Sequence, residues 1–222
     1  TCEKGQVMAR LFGTDGVRGV ANAELTCDLA FKLGQAAVAF QGKTILVGKD
    51  TRLSGDMLES AVAAGVMSMG GTALLAGIVP TPAIALLVRE LVCDGGVVIS
   101  ASHNPPEYNG IKLFDNAGFK LPDAVEDEIE AFVAAGGAAP ADLPAGDAVG
   151  VALPVEEACE LYIAHAVSTV ADEGIDLAGL RVALDVGHGA SCMTSAEALR
   201  RLGADVTVIN EDFDGTDINV QC

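Results

Sequence analysis

The sequence predicts an α/β protein: a layered α/β/α domain with a mixed, largely parallel sheet, followed by a partial second domain of the same type. Short runs of β-branched residues alternate with longer alanine-rich segments of helical period, as expected for strands joined by helices. The strand segments are apolar throughout, which is typical of a sheet covered on both faces. A stretch rich in Gly, Ala and Pro separates two such repeats and predicts a domain boundary.

The first repeat contains four predicted strands and three predicted helices. The strands are 44–48, 71–79, 95–100 and 110–114, and the helices are 54–70, 81–92 and 122–135. Ser54 is a candidate N-cap for the first of these helices, and Thr81-Pro82 has proline at the first helical position of the second. Residues 8–140 are therefore assigned to a first domain.

The aperiodic stretch 136–154 is predicted to be a linker. Residues 155–172 then carry apolar residues along one helical face, and a strand, a turn with a helix and a second strand follow. This single β-α-β repeat predicts an incomplete second domain at 155–222. Because the chain starts at Thr1 rather than Met and ends soon after this repeat, we expect a fragment of a longer protein.

Charge and hydropathy narrow the classes of partner. The 222 residues hold 13 Lys and Arg against 31 Asp and Glu, a formal charge of −18. Such a surface repels phosphate backbones, which argues against nucleic acid and anionic membranes. No apolar run reaches the length of a membrane span, and the first residues lack the apolar region of a secretory signal. A cytoplasmic protein is the simplest interpretation.

The six cysteines are widely scattered, without Cys-x-x-Cys or His-rich spacing. A zinc site or a disulfide framework needs tighter groups, so reduced and mostly buried thiols are expected.

One loop at the end of a predicted buried strand carries candidate chemistry. In "ISASHNPPEYNGIKLF" (99–114), the apolar run ends in Ser102, His103 and Asn104, and two prolines then stiffen the chain. Open α/β sheets place functional groups at the carboxyl ends of their strands. Ser102 is a candidate nucleophile or phosphate carrier, and His103 a candidate proton donor. The alternative is an ordinary Asx/Ser turn closed by prolines.

Two cations favour an anionic ligand. Arg18 lies among Gly13, Gly16 and Gly19, residues that let backbone N–H groups approach an anion closely. Lys112 alternates with Ile111 and Leu113 in an otherwise apolar strand, where a lysine is costly unless it faces solvent or an anion. A solvated edge position is the alternative for Lys112.

These segments together resemble the α-D-phosphohexomutases. The stretch 99–114 is similar to the phosphoserine loop of that family, whose pattern is T/S-A-S-H-N-P followed by N-G-x-K. "FGTDGVRG" (12–19) and "VGKDTRLSGDMLESAVAAG" (47–65) look like the branch that acts on glucosamine phosphates, as do "GIVPTPAIALL" (77–87) and "DGTDINVQC" (214–222). The resemblance covers nearly all of residues 8–222.

What the resemblance implies is a phosphoryl relay between glucosamine 6-phosphate and glucosamine 1-phosphate, in the synthesis of amino sugars for the cell wall. Ser102 would carry the phosphate, and a hexose 1,6-bisphosphate would be the intermediate and activator. Catalysis would use His103, Arg18 and Lys112, and phosphate binding would use Asn104 together with the same two cations. Ser100 would only support the loop.

The resemblance also implies a magnesium ion bound to the phosphate of Ser102. Its aspartate ligands are expected beyond Cys222, so the 222 residues alone are expected to be inactive. The implied partner is a small hexosamine phosphate, with neither nucleic acid nor membrane, and a homodimer is compatible with the family. "EDFDGTDIN" (211–219) offers three aspartates that suggest a calcium loop, but its spacing lacks the Gly and Glu of an EF-hand, and a turn is the better interpretation.

Two other functions stay open at this point. A phosphomannomutase or phosphoglucomutase would share the same motifs, because the residues that choose the sugar are expected outside this chain. A non-catalytic fragment that binds sugar phosphates would need no covalent phosphate on Ser102.

Overall fold

The computed structural model describes residues 10–13 and 16–222. Among them, six strands form one sheet in the order β1-β5-β4-β2-β3-β6, and two later strands form a separate parallel pair, β7-β8. The strands are β1 (Val17–Val20), β2 (Thr44–Lys49), β3 (Thr72–Ile78), β4 (Gly95–Ile99), β5 (Tyr108–Asp115), β6 (Val151–Pro154), β7 (Arg181–Asp185) and β8 (Asp205–Ile209).

The main sheet is mixed, as the sequence predicts. Strands β4, β2, β3 and β6 are parallel neighbours, whereas β5 runs antiparallel to both β4 and β1. The antiparallel pair arises because β5 returns directly from β4 through the serine loop, without a crossover helix. The loop between Ser100 and Glu107 is therefore the tip of a long β4-β5 hairpin, which lies next to the edge strand β1.

Among the described residues, six α-helices surround the strands. They are α1 (Cys27–Gln41), α2 (Gly55–Ser68), α3 (Thr81–Glu90), α4 (Asp123–Ala134), α5 (Ala158–Ala171) and α6 (Ser195–Arg201). Along β2, Ile45 and Val47 pack into a core shared with α1, α2 and α4, while Leu46 packs into a second core with α3 and α5. Since successive residues of a strand point to opposite faces, these two cores are the two sides of an α/β/α sandwich. The predicted fold class is confirmed.

Helix α1 was not assigned from the sequence, although its N-cap is well formed. The side chain of Thr26 accepts a hydrogen bond from the Leu29 N–H at 3.2 Å. Gly34 of α1 and Gly65 of α2 let the two helices approach closely: a Cβ at either position would lie about 2 Å from a backbone oxygen of the other helix. This contact depends on two glycines 31 positions apart, and helical periodicity does not report it.

The predicted linker 136–154 differs from the structure at its end. Val151–Pro154 form β6, which pairs with the outer edge of β3, and Val155 lies in the second core. The open edge of β3 offers unpaired N–H and C=O groups, and β6 satisfies them. Only the first part of the stretch is irregular. The domain bounds 8–140 and 155–222 stay a prediction, and residue 8 lies outside the described residues, as do Thr14 and Asp15 of the glycine-rich motif.

Candidate active site

The serine loop begins where the fully buried strand β4 ends. The Ser100 N–H donates to the Gly110 carbonyl at 2.9 Å, which extends the β4-β5 ladder by one pair. The hydroxyl of Ser100 then accepts the Ser102 N–H at 3.1 Å, so the predicted supporting role of Ser100 is confirmed. Ser102 itself adopts φ 57°, in the left-handed region. For a non-glycine residue this costs about 1–2 kcal/mol, so the surrounding contacts must hold it there.

The predicted residues of the loop meet at its tip. Ser102 and His103 are both exposed, and the Ser102 hydroxyl lies 3.4 Å from His103 Nδ1. Arg18, on β1, donates from Nη1 to Asn104 Oδ1 at 3.0 Å. The pairing of β1 with β5 brings Arg18 opposite Gly110, at the end of the hairpin next to the loop, and its side chain reaches the loop from there. Four of the five predicted site residues therefore lie together.

Lys112 lies beside this cluster. Lys112 belongs to β5 and stands opposite Val98 of β4. It is half-buried, between the buried Ile111 and Leu113. It lines a cavity of about 240 Å³ with Thr81 and Lys120, among others. Thr81 also lines the pocket that contains Ser102, so the two cavities are neighbours. Lys112 thus lines a cavity of mixed polar and apolar lining, and its role in phosphate binding stays a prediction.

Arg52 is the main support of the loop, and the sequence analysis did not single it out. Its side chain is fully buried, and its guanidinium donates to four backbone carbonyls at 2.6–3.0 Å. These carbonyls belong to Ser102, Asn104, Pro105 and Tyr108. Its Nε donates to the carboxylate of Asp50 at 3.0 Å, which neutralises the buried charge.

A pocket of about 380 Å³ opens beside Ser102. The first sheet contributes Asp50, Ser100, Ser102 and His103, and the turn before α3 contributes Val79-Pro80. The remaining wall comes from the β7-β8 part of the chain, at Val186, Gly189-Ser191 and Ile218-Asn219. Residues at the carboxyl ends of strands from both sheets therefore share one cleft.

Four hydrogen bonds join the late part of the chain to the segment 50–53 and the serine loop. Thr51 donates from its hydroxyl to the His188 carbonyl at 2.5 Å, and the Leu53 N–H donates to the Gly215 carbonyl at 3.0 Å. The side-chain amide of Asn219 donates to the Ser102 carbonyl at 2.9 Å and to the Asn104 carbonyl at 3.3 Å. Thr51, Leu53, Gly215 and Asn219 all fall within segments quoted for the resemblance, but no sequence pattern assigned them this contact.

The aspartates at 211–219 form a turn. Asp214 accepts both the N–H and the hydroxyl of Thr216, at 2.8 and 2.7 Å, and these bonds lower the pKa of its carboxyl. In the part of the chain that the structure describes, no three His, Cys, Asp or Glu side chains form a group that could hold a metal ion. Asp50, the acid that lines the Ser102 pocket, is bound to Arg52. These residues alone do not make a magnesium site.

Known proteins resemble this chain in fold and in sequence. Residues 9–139 match the phosphoglucomutase/phosphomannomutase family, alpha/beta/alpha domain I. The chain belongs to this family. Phosphoglucosamine mutase of Clostridium novyi is 53% identical over 220 residues, which are 97% of this chain and 48% of that protein. Phosphoglucosamine mutase of Moorella thermoacetica is 52% identical over 97% of this chain and 49% of its own length. The chain thus spans about half the length of these relatives.

Solved structures agree with the family assignment. A putative phosphomannomutase from Thermus thermophilus superposes with a TM-score of 0.72 and 30% identity, over 94% of this chain and 47% of that chain. A phosphoglucomutase/phosphomannomutase family protein from Burkholderia thailandensis gives a TM-score of 0.77 at 24% identity, over 96% and 46%. The latter supports the fold alone. None of the helices among residues 10–13 and 16–222 is both long and apolar enough to cross a membrane.

Proposed function

We propose that this chain carries the phosphoserine part of an enzyme that interconverts glucosamine 6-phosphate and glucosamine 1-phosphate. The observation that carries the proposal is Ser102: an exposed hydroxyl in a left-handed conformation, held by buried contacts at the mouth of a polar pocket. An ordinary surface turn does not need a buried arginine bonded to three of its carbonyls and to the carbonyl of Tyr108, where β5 begins. Relatives above 50% identity named phosphoglucosamine mutase support glucosamine phosphate as the sugar.

The chemistry is phosphoryl transfer from Ser102 to a sugar hydroxyl. The sugar oxygen bonds to phosphorus and releases its proton to water, while the bond from phosphorus to Ser102 Oγ breaks. The leaving Oγ takes a proton, which His103 supplies in the form that carries a proton on Nδ1, 3.4 Å from this oxygen. The resulting hexosamine bisphosphate then returns its other phosphate to Ser102 by the reverse step, so the enzyme regains its phosphate.

The cations of the site match the charge of this transition state. Transfer of this kind depends on positioning and on neutralising the phosphoryl oxygens. Arg18 reaches the loop through Asn104, and Lys112 faces the adjoining cavity. Bound magnesium would add charge neutralisation at the phosphate, and its aspartate ligands are predicted beyond Cys222. A homodimer also stays a prediction.

Intact-mass measurement of the full-length protein that contains this chain tests the phosphoserine. The wild type is expected to carry about 80 Da of phosphate, and Ser102→Ala to lose both that mass and mutase activity. Ser100→Ala is the matched control, because Ser100 lies two residues away with its hydroxyl bonded inside the loop. It should keep the added mass. Full turnover by Ser102→Ala would contradict the proposal.

A second candidate is a phosphomannomutase or phosphoglucomutase, favoured by the description of the family and by the name of the Thermus structure. It shares the phosphoserine mechanism and differs only in the sugar. Isomerisation assays with the 6-phosphates of glucosamine, glucose and mannose distinguish the two. The highest kcat/KM is expected for glucosamine 6-phosphate. A wild type that binds these sugars but is never phosphorylated would be a non-catalytic binding protein.

A further inference from the structure

Two carbonyls of the serine loop each accept hydrogen bonds from two side chains. Arg52 Nη2 donates to the carbonyls of Ser102 and Asn104 at 3.0 and 2.8 Å. Asn219 Nδ2 donates to the same two carbonyls at 2.9 and 3.3 Å. Arg52 is buried beneath the loop, whereas Asn219 is exposed and lies 117 residues away from Ser102 in sequence. The loop is therefore held from two parts of the chain.

These bonds fix the peptide plane that follows Ser102. None of the described peptide bonds is cis, and in a trans peptide the C=O and the N–H point to opposite sides. With the Ser102 carbonyl directed at Arg52 and Asn219, the His103 N–H must point away from them. The same bonds turn the negative ends of two carbonyl dipoles away from a phosphate on Ser102, which would otherwise be repelled.

Asn219 is itself well positioned to make these bonds. Its N–H donates to the Gly187 carbonyl at 3.0 Å, directly after β7, and its φ of 62° places it at a tight turn. The preceding Ile218 is buried and lines the Ser102 pocket. The side chain of Asn219 therefore connects the β7-β8 unit, residues 181–222, to the serine loop through hydrogen bonds.

We propose that Asn219 is a positioning residue for Ser102, so that the β7-β8 unit completes the phosphoryl-transfer loop without touching the transferred group. This inference rests on the proposed function. It predicts that removing the Asn219 amide lowers kcat while KM changes little, because both hydrogen bonds of this amide go to carbonyls of the loop.

The test compares two glycine substitutions in the full-length protein. Glycine keeps a positive φ without strain, so Asn219→Gly removes only the side chain. Asn210→Gly is the matched control: Asn210 has φ 56° and also donates two hydrogen bonds from Nδ2, but to the carboxylate of Asp185 at 3.0 and 3.1 Å. We expect Asn219→Gly to lower kcat by about 10- to 100-fold, and Asn210→Gly to stay within about twofold.

Hydrogen exchange gives a readout that does not depend on activity. In Asn219→Gly, the amides of peptide 99–108 should exchange faster than in wild type, whereas Asn210→Gly should leave them unchanged. If Asn219→Gly unfolds, Asn219→Asp keeps the shape of the side chain but places an acceptor against the two carbonyls. It should lower kcat at least as far as glycine would.

The outcomes separate this inference from the proposed function. Equal effects of the two glycine variants on kcat and on loop exchange would overturn the positioning role, even in an active, phosphorylated enzyme. A wild type without phosphate on Ser102 would overturn the proposed function, while faster loop exchange in Asn219→Gly alone would still support the coupling of Asn219 to the loop.

Discussion

The two sheets of the molecule differ in how deeply they are buried. All five residues of β4 are buried, because helices cover the main sheet on both faces. In β7 and β8, exposed residues alternate with half-buried ones, and no residue of either strand is buried. The described β7-β8 unit therefore has little core of its own. Its order depends on contacts with the main sheet, through α5 on one side and the serine loop on the other.

The two sheets also differ in how deeply their charged side chains are buried. In the main unit, the guanidinium of Arg52 is enclosed by carbonyls and by Asp50. In the β7-β8 unit, Arg201 of α6 forms a two-pronged ion pair with Glu160 of α5 at 2.6 and 2.7 Å, exposed to solvent. Both arginines have excellent geometry, but water competes only for the second. We therefore expect burial, rather than the number of hydrogen bonds, to decide how much each arginine contributes to the free energy of unfolding.

Replacing these two arginines should produce the largest difference between the units. Arg52→Gln leaves the buried carboxylate of Asp50 without its cation and removes one donor from each of four carbonyls, and we expect it to lower the free energy of unfolding by about 3–5 kcal/mol. Arg201→Gln, the matched change at an exposed ion pair, should have a far smaller effect that shrinks further in high salt. Urea unfolding of both variants measures this, and equal losses would contradict the role of burial.

Arg52 also shows what sequence reasoning could and could not reach. The serine loop was located correctly because a buried strand, a polar cluster and two prolines are neighbours in sequence. Arg18 and Asn104 were both named, and the β1-β5 pairing brings them together. Arg52 was missed because its partners lie 50 to 56 residues away and are backbone carbonyls, which every residue has.

The late part of the chain was harder to predict for a similar reason. The aspartates of 211–219 were assigned to a turn, as observed, since Asx turns are local. The contact of Asn219 with the serine loop depends on how the two units pack together, which local patterns do not encode. Strand β6 was likewise hidden inside a Gly/Pro-rich stretch, because its pairing satisfies the edge of β3 rather than any preference of its own.

Truncating one leucine in each sheet should give the next largest difference. Leu46 of β2 is fully buried in the core against α3 and α5, so Leu46→Ala should lower the free energy of unfolding by about 2–5 kcal/mol. Leu184 of β7 is half-buried beside a cavity that Tyr162 also lines, so Leu184→Ala should lower it by less than half as much. Thermal and urea unfolding measure both losses. A larger loss for Leu184→Ala would mean that the β7-β8 unit holds a tighter core than its burial indicates.

The smallest expected difference between the two sheets is in local unfolding, which thiol labelling of the unmutated protein can detect. Burial and the charge of Asp94 raise the pKa of Cys93 to about 11, and burial followed by the neighbouring Cys159 raises the pKa of Cys192. Both are therefore protonated and slow to react near pH 8, since the thiolate is the nucleophile. Cys192 is only half-buried in the β7-β8 unit, so low urea should expose it first, while Cys93 should react only on global unfolding.

Peptide mass spectrometry after pulsed alkylation measures the labelling of both cysteines, with the exposed Cys27 as the fast-reacting reference. Simultaneous labelling of Cys93 and Cys192 at every urea concentration would show that the two sheets unfold as one unit.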